Sequence, residues 1–388
     1  MNARERFHAT MHYLPRDRSP IMDFGFWEET LFLWEEQGLP HDVDTDAFFG
    51  MDPQWILAPI NVGLHPPFRA IVMEDHGETE IVRDSDGVVK ERSKFASSIP
   101  RHLRHTLRGR ASWEVEFRWR LNGCAPHRYP RNWPQLLTEY LDPGRDYPLG
   151  IQVGSLYGWI RNWMGLEGVS MLIYDDRALF EEMVETIADC VIQAITPALE
   201  AGIRFEYALL WEDMCYRAGP LLSPKVFAQV LVPRYRRITE LLRQHGTDIV
   251  IVDCDGDITQ LLPLWLEAGV NTMFPLEIGA WGADPLRYRK EYGTDLRMIG
   301  GFSKQILAST REEITQEVER LAPLVEEGGY IPTPDHRVPP DVPLRNYLYY
   351  LSEARRCWGK NLPNLRPMGV EETATDDGTR FAWHLAEE

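Results

Sequence analysis

No stretch of about 18 consecutive apolar residues occurs in this sequence, so a membrane span is not expected. Mean hydropathy is −0.34 over 388 residues, which agrees. Met1 to Asp17 is charged and lacks the apolar core of a secretory signal, so a cytoplasmic location is expected. Cysteine is scarce: the five residues Cys124, Cys190, Cys215, Cys254 and Cys357 form no CxxC and no disulfide framework, which suits a reducing compartment. Positive charge is in deficit, with 41 Lys and Arg against 59 Asp and Glu and a net charge of −18. Such a surface repels phosphate backbones, so nucleic acid is a poor partner, and an acidic substrate would need a local basic patch. There is no P-loop, no Ser-His-Asp set, and no GxGxxG after the first expected strand, which counts against a dinucleotide-binding sheet.

What is present is an ordinary globular composition, 44% hydrophobic and 26% charged, on a chain long enough to bury a large core. The first segment reads as a short amphipathic helix from Arg4, a Pro-Arg-Asp turn, and a strand over Ser19 to Phe24, then a helix over Trp27 to Gln37. Residues 50–135 read as a β-rich insertion or cap, with extended pieces at Ile71–Met73, Glu80–Val82 and Val88–Lys90. Asp86-Gly87 is the best hairpin signal there. From about residue 147 strand and helix alternate. Phe180, Met183, Val184, Ile187, Val191 and Ile195 repeat at helical spacing, and Thr310 with Glu313 forms a capping box. Alternation at intervals of roughly 25–45 residues predicts parallel βα units. An open doubly wound sheet and a closed (β/α)8 barrel both fit, and the barrel is favoured. Residues 1–368 are then one barrel domain including the cap, and 369–388 an acidic tail.

In a (β/α)8 barrel the working groups lie at the carboxyl ends of the strands. Here those ends carry Glu212 and Asp213, then Asp253, Asp255 and Asp257, then Glu277, Lys304, Asp335 and His336. Asp253 and Asp255 alternate along an extended segment and so share a face, with Cys254 packed behind. With His336 and Glu212 they would make an oxygen/nitrogen set suited to a hard divalent metal, and Asp257 alternatively caps the next helix. Glu212 and Asp213 are a like-charged pair in which one pKa would rise. Gly154-Ser155-Leu156-Tyr157-Gly158-Trp159-Ile160-Arg161 offers Tyr157 and Trp159 to stack on a flat ligand and Arg161 to clamp an anion, or else aromatic core and a helix-surface arginine.

Arg4-Glu5-Arg6-Phe7 with Pro15-Arg16-Asp17-Arg18-Ser19-Pro20 resembles the opening of the uroporphyrinogen decarboxylase-like superfamily. Gly219-Pro220-Leu221-Leu222-Ser223-Pro224 is similar to its mid-chain segment, and Asp253–Asp257, Gly300–Lys304 and Gly328–Pro343 resemble its later motifs. The resemblance implies a distorted (β/α)8 TIM barrel. It also implies one of two activities: cofactor-free decarboxylation of a tetrapyrrole, or methyl transfer to or from a corrinoid. The decarboxylases carry Met-Arg-Gln-Ala-Gly-Arg after the first strand. This chain reads Met22-Asp23-Phe24-Gly25-Phe26-Trp27 there, without arginine. The thiol-using methyltransferases carry His-x-Cys-Gly and a later Cys as zinc ligands. At the matching positions stand Asp253, Asp255 and His336, so the thiolates are missing.

The resemblance therefore implies the methyltransferase branch, on the side that takes a methyl group from a small O- or N-methylated donor, with a methoxylated aromatic favoured. The acceptor would be a corrinoid (cobalamin) on a partner protein, with zinc or another divalent metal as a further cofactor and a homodimer left open. Glu212, Asp255 and His336 are the expected catalytic groups, Glu212 as acid. Tyr157, Trp159, Arg161, Asp213 and Lys304 are the expected substrate contacts, and Asp253, Asp255, His336 and Glu212 the metal set. A decarboxylase or lyase, and a non-catalytic ligand-binding protein, are the alternatives.

Overall fold

The computed structural model describes residues 1–95, 100–359, 370–373 and 380–383. The backbone divides into two compact bodies, one of Trp55–Phe274 with Gly279–Trp281, the other of Met1–Gln54, Pro275–Ile278 and Gly282–Glu388.

The first body opens with β1 (Leu57–Ala58), too short to show a period. Next come β2 (Ile71–Asp75), β3 (Thr79–Arg83), β4 (Val89–Ser93) and β5 (Arg101–Arg104), an antiparallel sheet in chain order. The Asp86-Gly87 turn joins β3 to β4, as expected, with Gly87 N donating to Asp84 O at 3.1 Å. The β-rich reading holds only this far. Beyond it the chain is helical, with a short π-helix at Trp113–Phe117 and an α-helix at Trp133–Tyr140.

Then β6 (Gly150–Gln152), β7 (Tyr207–Trp211), the small pair β8 (Cys215–Tyr216) and β9 (Gly219–Pro220), β10 (Val250–Asp253) and β11 (Thr272–Leu276) follow. Parallel ladders run β1 to β6, β6 to β7, β7 to β10 and β10 to β11. The helix Arg177–Glu200 lies between β6 and β7 in sequence. Its periodic residues Phe180, Met183, Val184, Ile187, Val191 and Ile195 are all buried. Each such burial stabilises by about 1.5–3 kcal/mol.

In the second body β12 (Arg297–Phe302) pairs in parallel with β13 (Tyr330–Pro334). The helix Arg311–Glu327 between them begins at the Thr310/Glu313 capping box. Ser19–Phe24, expected as a strand, forms no ladder. Ile21 N donates to Asp52 Oδ2 at 2.8 Å and Asp23 N to Gln54 Oε1 at 2.7 Å, so side chains satisfy the donors a neighbouring strand would have taken. Just beyond it, Phe26 makes an isolated bridge to Val338. Of the acidic tail, 370–373 pairs antiparallel with 380–383, and the rest lies outside the described residues.

Candidate active site

Glu212 directly follows β7 and is fully buried. Its carboxylate accepts from Leu156 N at 2.7 Å, Tyr157 N at 2.9 Å, Gly158 N at 3.1 Å, Ser155 Oγ at 3.0 Å and Tyr235 Oη at 2.6 Å. Three of these donors are successive peptide N–H groups at the start of the helix Gly158–Met164, where a negative charge is favoured. Burial raises the Glu212 pKa, and the Tyr235 and backbone hydrogen bonds oppose that rise. A carboxylate with five donors around it is a structural anchor. The geometry therefore replaces the general acid expected at Glu212 with a positioning residue.

What it positions is Trp159. Ser155 Oγ, which donates to Glu212, accepts from Trp159 N at 3.0 Å. The indole lies against two glycines. A Cβ at Gly154 (φ +79°) would stand 3.1 Å from the ring, and one at Gly63 3.6 Å from it. Trp163, one helical turn on, brings its ring centroid to 6.0 Å from that of Trp159 at 30°.

These two indoles line a cavity of about 330 Å3, with Ile60, Asn61, Val62, Gly63, Leu64, Pro67, Ser85, Asp86 and Gln152. Gln152 ends β6 and Ile60–Leu64 follow β1, so the cavity lies at strand carboxyl ends, as barrel chemistry requires. Arg128 is buried and fixes the β1 loop by donating to Asn61 O at 2.7 Å and Gly63 O at 2.9 Å. Asp86 enters from the β3–β4 turn. Desolvation and the nearby Asp84 raise its pKa, and Lys90 and the facing Trp163 N–H hold it back. Lys90 is itself paired with Asp84 at 2.9 Å. Among the described residues no lysine or arginine lines the cavity.

Trp159 lines this cavity, while Tyr157 is fully buried and does not line it. The Tyr157 hydroxyl has no hydrogen-bond partner, and burial pushes its pKa up to about 12. Arg161 Nη2 pairs with Asp213 Oδ2 at 2.9 Å and its other nitrogen bonds Asp213 O, so the anion clamp already holds a carboxylate. Asp253 ends β10 half-buried, and its carbonyl accepts from Glu212 N at 2.9 Å. Asp255 is half-buried two residues on. Cys254 is buried behind them, as expected, and its thiol accepts from Met214 N at 3.3 Å. Asp257 Oδ1 accepts from Thr259 N at 3.1 Å, the local capping alternative.

In the second body, Lys304 Nζ pairs with Glu277 at 3.0 Å, and Lys304 N donates to the buried Asp335 at 2.8 Å. His336 stacks on Trp27, with centroids 5.9 Å apart at 20°, and meets Phe24 edge-on at 5.4 Å. Among the described residues no three His, Cys, Asp or Glu side chains come together to hold a metal ion. The oxygens of Glu212 are already taken by N–H and O–H donors. Glu212, held by these donors, therefore does not fit as a ligand of a divalent metal, and no chemical step is routed through one.

Sequence reasoning missed Asn61, Gln152, Trp163 and Asp86 as cavity residues. Trp163 stands four residues after Trp159 on the same helix face, a legible signal. Asp86 was legible only as a turn residue.

This fold and site define an α/β enzyme-like scaffold of the TIM-barrel kind, with aromatic and polar groups gathered where strands end. The uroporphyrinogen decarboxylase (URO-D) family profile matches residues 148–357, more than half of the chain, and the chain belongs to that family. The fold is shared with a methyltransferase from Methanosarcina mazei at 15% sequence identity, over 92% of this chain and 98% of that one, with a TM-score of 0.59.

Proposed function

We propose that this chain is a methyltransferase. It takes a methyl group from a small O- or N-methylated donor and passes it to a corrinoid carried on a partner protein, the corrinoid serving as acceptor substrate. The observation that carries this reading is the cavity beside Trp159 and Trp163. At about 330 Å3 it suits a small ligand, and among the described residues its wall holds a carboxylate and no cation. An octacarboxylate tetrapyrrole would need several cations, so tetrapyrrole decarboxylation is the poorer reading. Membership in the URO-D family and the fold shared with a methyltransferase are consistent with methyl transfer.

Here the side chains of this chain bind and orient. The two indoles confine the donor, Asn61 and Gln152 offer amides to its polar end, and Glu212 through Ser155 keeps Trp159 in place. Transfer itself is in-line displacement at the methyl carbon, in which alignment of donor and acceptor lowers the barrier.

The test is anaerobic mixing of the pure protein with cob(I)alamin and a panel of methoxylated aromatics, methylamines and betaines. A donor-dependent and enzyme-dependent change from the Co(I) to the methyl-Co(III) spectrum is expected. CO2 release from an acid in place of that change would overturn the reading.

A further inference from the structure

Three features around Trp159 point to the charge of the ligand. The first is the indole pair. Tryptophan faces attract a cation within about 6 Å of the ring centroid, more strongly when the site is desolvated. Trp159 is half-buried and Trp163 almost wholly buried. The second is Asp86. Among the described residues it is the one ionisable side chain lining the cavity, and the Trp163 ring N–H helps to hold its pKa down. Asp86 is half-buried, and a carboxylate partly withdrawn from water is costly unless a cation or donors compensate it. Lys90, whose charge lowers the Asp86 pKa, is already paired with Asp84. The third is the state of Glu212. Its oxygens are filled by five donors, so the group expected to protonate an alkoxide or phenolate leaving group is otherwise engaged.

We propose that the cavity receives a quaternary ammonium group, Trp159 and Trp163 facing its methyls and Asp86 its charge, and that the methyl donor is an N-methylated cation. This rests on the methyltransferase reading above and narrows its donor. The leaving-group chemistry agrees. When one methyl is displaced, the C–N bond breaks and its electron pair stays on nitrogen. A positive donor becomes a neutral tertiary amine, and no proton is consumed. The new bond to carbon uses the electron pair of the Co(I) acceptor, which ends as Co(III). An ether donor would need a proton that no residue of this cavity other than Asp86 could supply.

The experiment compares choline with its neutral isostere 3,3-dimethylbutan-1-ol by calorimetry on the full chain, without any corrinoid. Choline is expected to bind at least about tenfold more tightly. Asp86→Asn and Trp159→Leu are each expected to remove most of that preference, with thermal melts showing that both variants fold. Should Asp86→Asn fail to fold, Trp159→Leu and the isostere pair still decide the matter. Equal binding of choline and the isostere, or no binding of choline together with turnover of a methoxylated aromatic, overturns the proposal while leaving the methyltransferase reading intact. Choline binding with the expected preference, but without any methyl transfer from the donor panel, supports the cation site and counts against the methyltransferase reading.

Discussion

Glu212 and Trp159 are joined through one hydroxyl: Ser155 Oγ donates to the carboxylate at 3.0 Å and accepts from the Trp159 backbone N–H at 3.0 Å. A buried acid at the end of one strand therefore sets the indole that walls a cavity at the end of another. This turns an expected catalytic acid into a support.

Glu212→Gln should accordingly lower stability by at least about 2 kcal/mol, because an amide turns N–H groups toward N–H donors that the carboxylate satisfied. Urea denaturation measures this. Stability equal to that of the parent chain would show that the five hydrogen bonds do not hold the loop.

Two glycines beside the same ring should respond differently. At Gly154 the backbone is left-handed, and an added Cβ would stand 2.8 Å from Val191 Cγ2, so Gly154→Ala should cost about 1–3 kcal/mol. At Gly63 the nearest atom would be the Trp159 ring at 3.6 Å, an ordinary contact, and Gly63→Ala should stay within about 0.5 kcal/mol of the parent. Thermal melts of the pair check both.

Asp23 gives a pH dependence with a definite sign. Burial raises its pKa from 3.8 to about 7, against hydrogen bonds from Tyr347, Gly25 and Phe24. Between these values the native state keeps a proton that the unfolded chain has released, so this group's contribution to stability falls as pH rises from about 4 to 7. Asp23→Asn should flatten that part of the stability profile. Denaturation of both proteins at pH 5 and pH 7.5 reads the difference, and parallel profiles would refute it.

The thiols should react in order of exposure. Cys124 is exposed, Cys357 intermediate, and Cys190, Cys215 and Cys254 buried. Burial raises the Cys190 pKa to about 11 and puts Cys254 well above its ordinary value. Thiolate is the reactive form, so a disulfide reagent should titrate Cys124 first in the native protein. The three buried thiols should appear only on unfolding.

The parallel βα course was legible because it rests on long patterns. The helix Arg177–Glu200 repeats its apolar spacing over several turns, and the Thr310/Glu313 box marks the start of another helix. Ser19–Phe24 misled because a short apolar run after a Pro-Arg-Asp turn reads as a strand, while its N–H groups at Ile21 and Asp23 pair with Asp52 and Gln54, distant in sequence. Leu57–Ala58 was invisible at two residues. At the site, Trp159 was legible from its place after a strand. The saturation of Glu212 was not, since four of its donors come from 155–158 and one from Tyr235, and no local pattern announces their meeting.

The carboxylate of the cavity sits on a hairpin turn of the inserted sheet, while its indoles sit on a helix of the barrel. Recognition and scaffold are thus written in separate stretches of chain. A turn can change a residue without altering the parallel ladders of the barrel strands, so the carboxylate at Asp86 can be exchanged while the helix that carries Trp159 and Trp163 stays as it is.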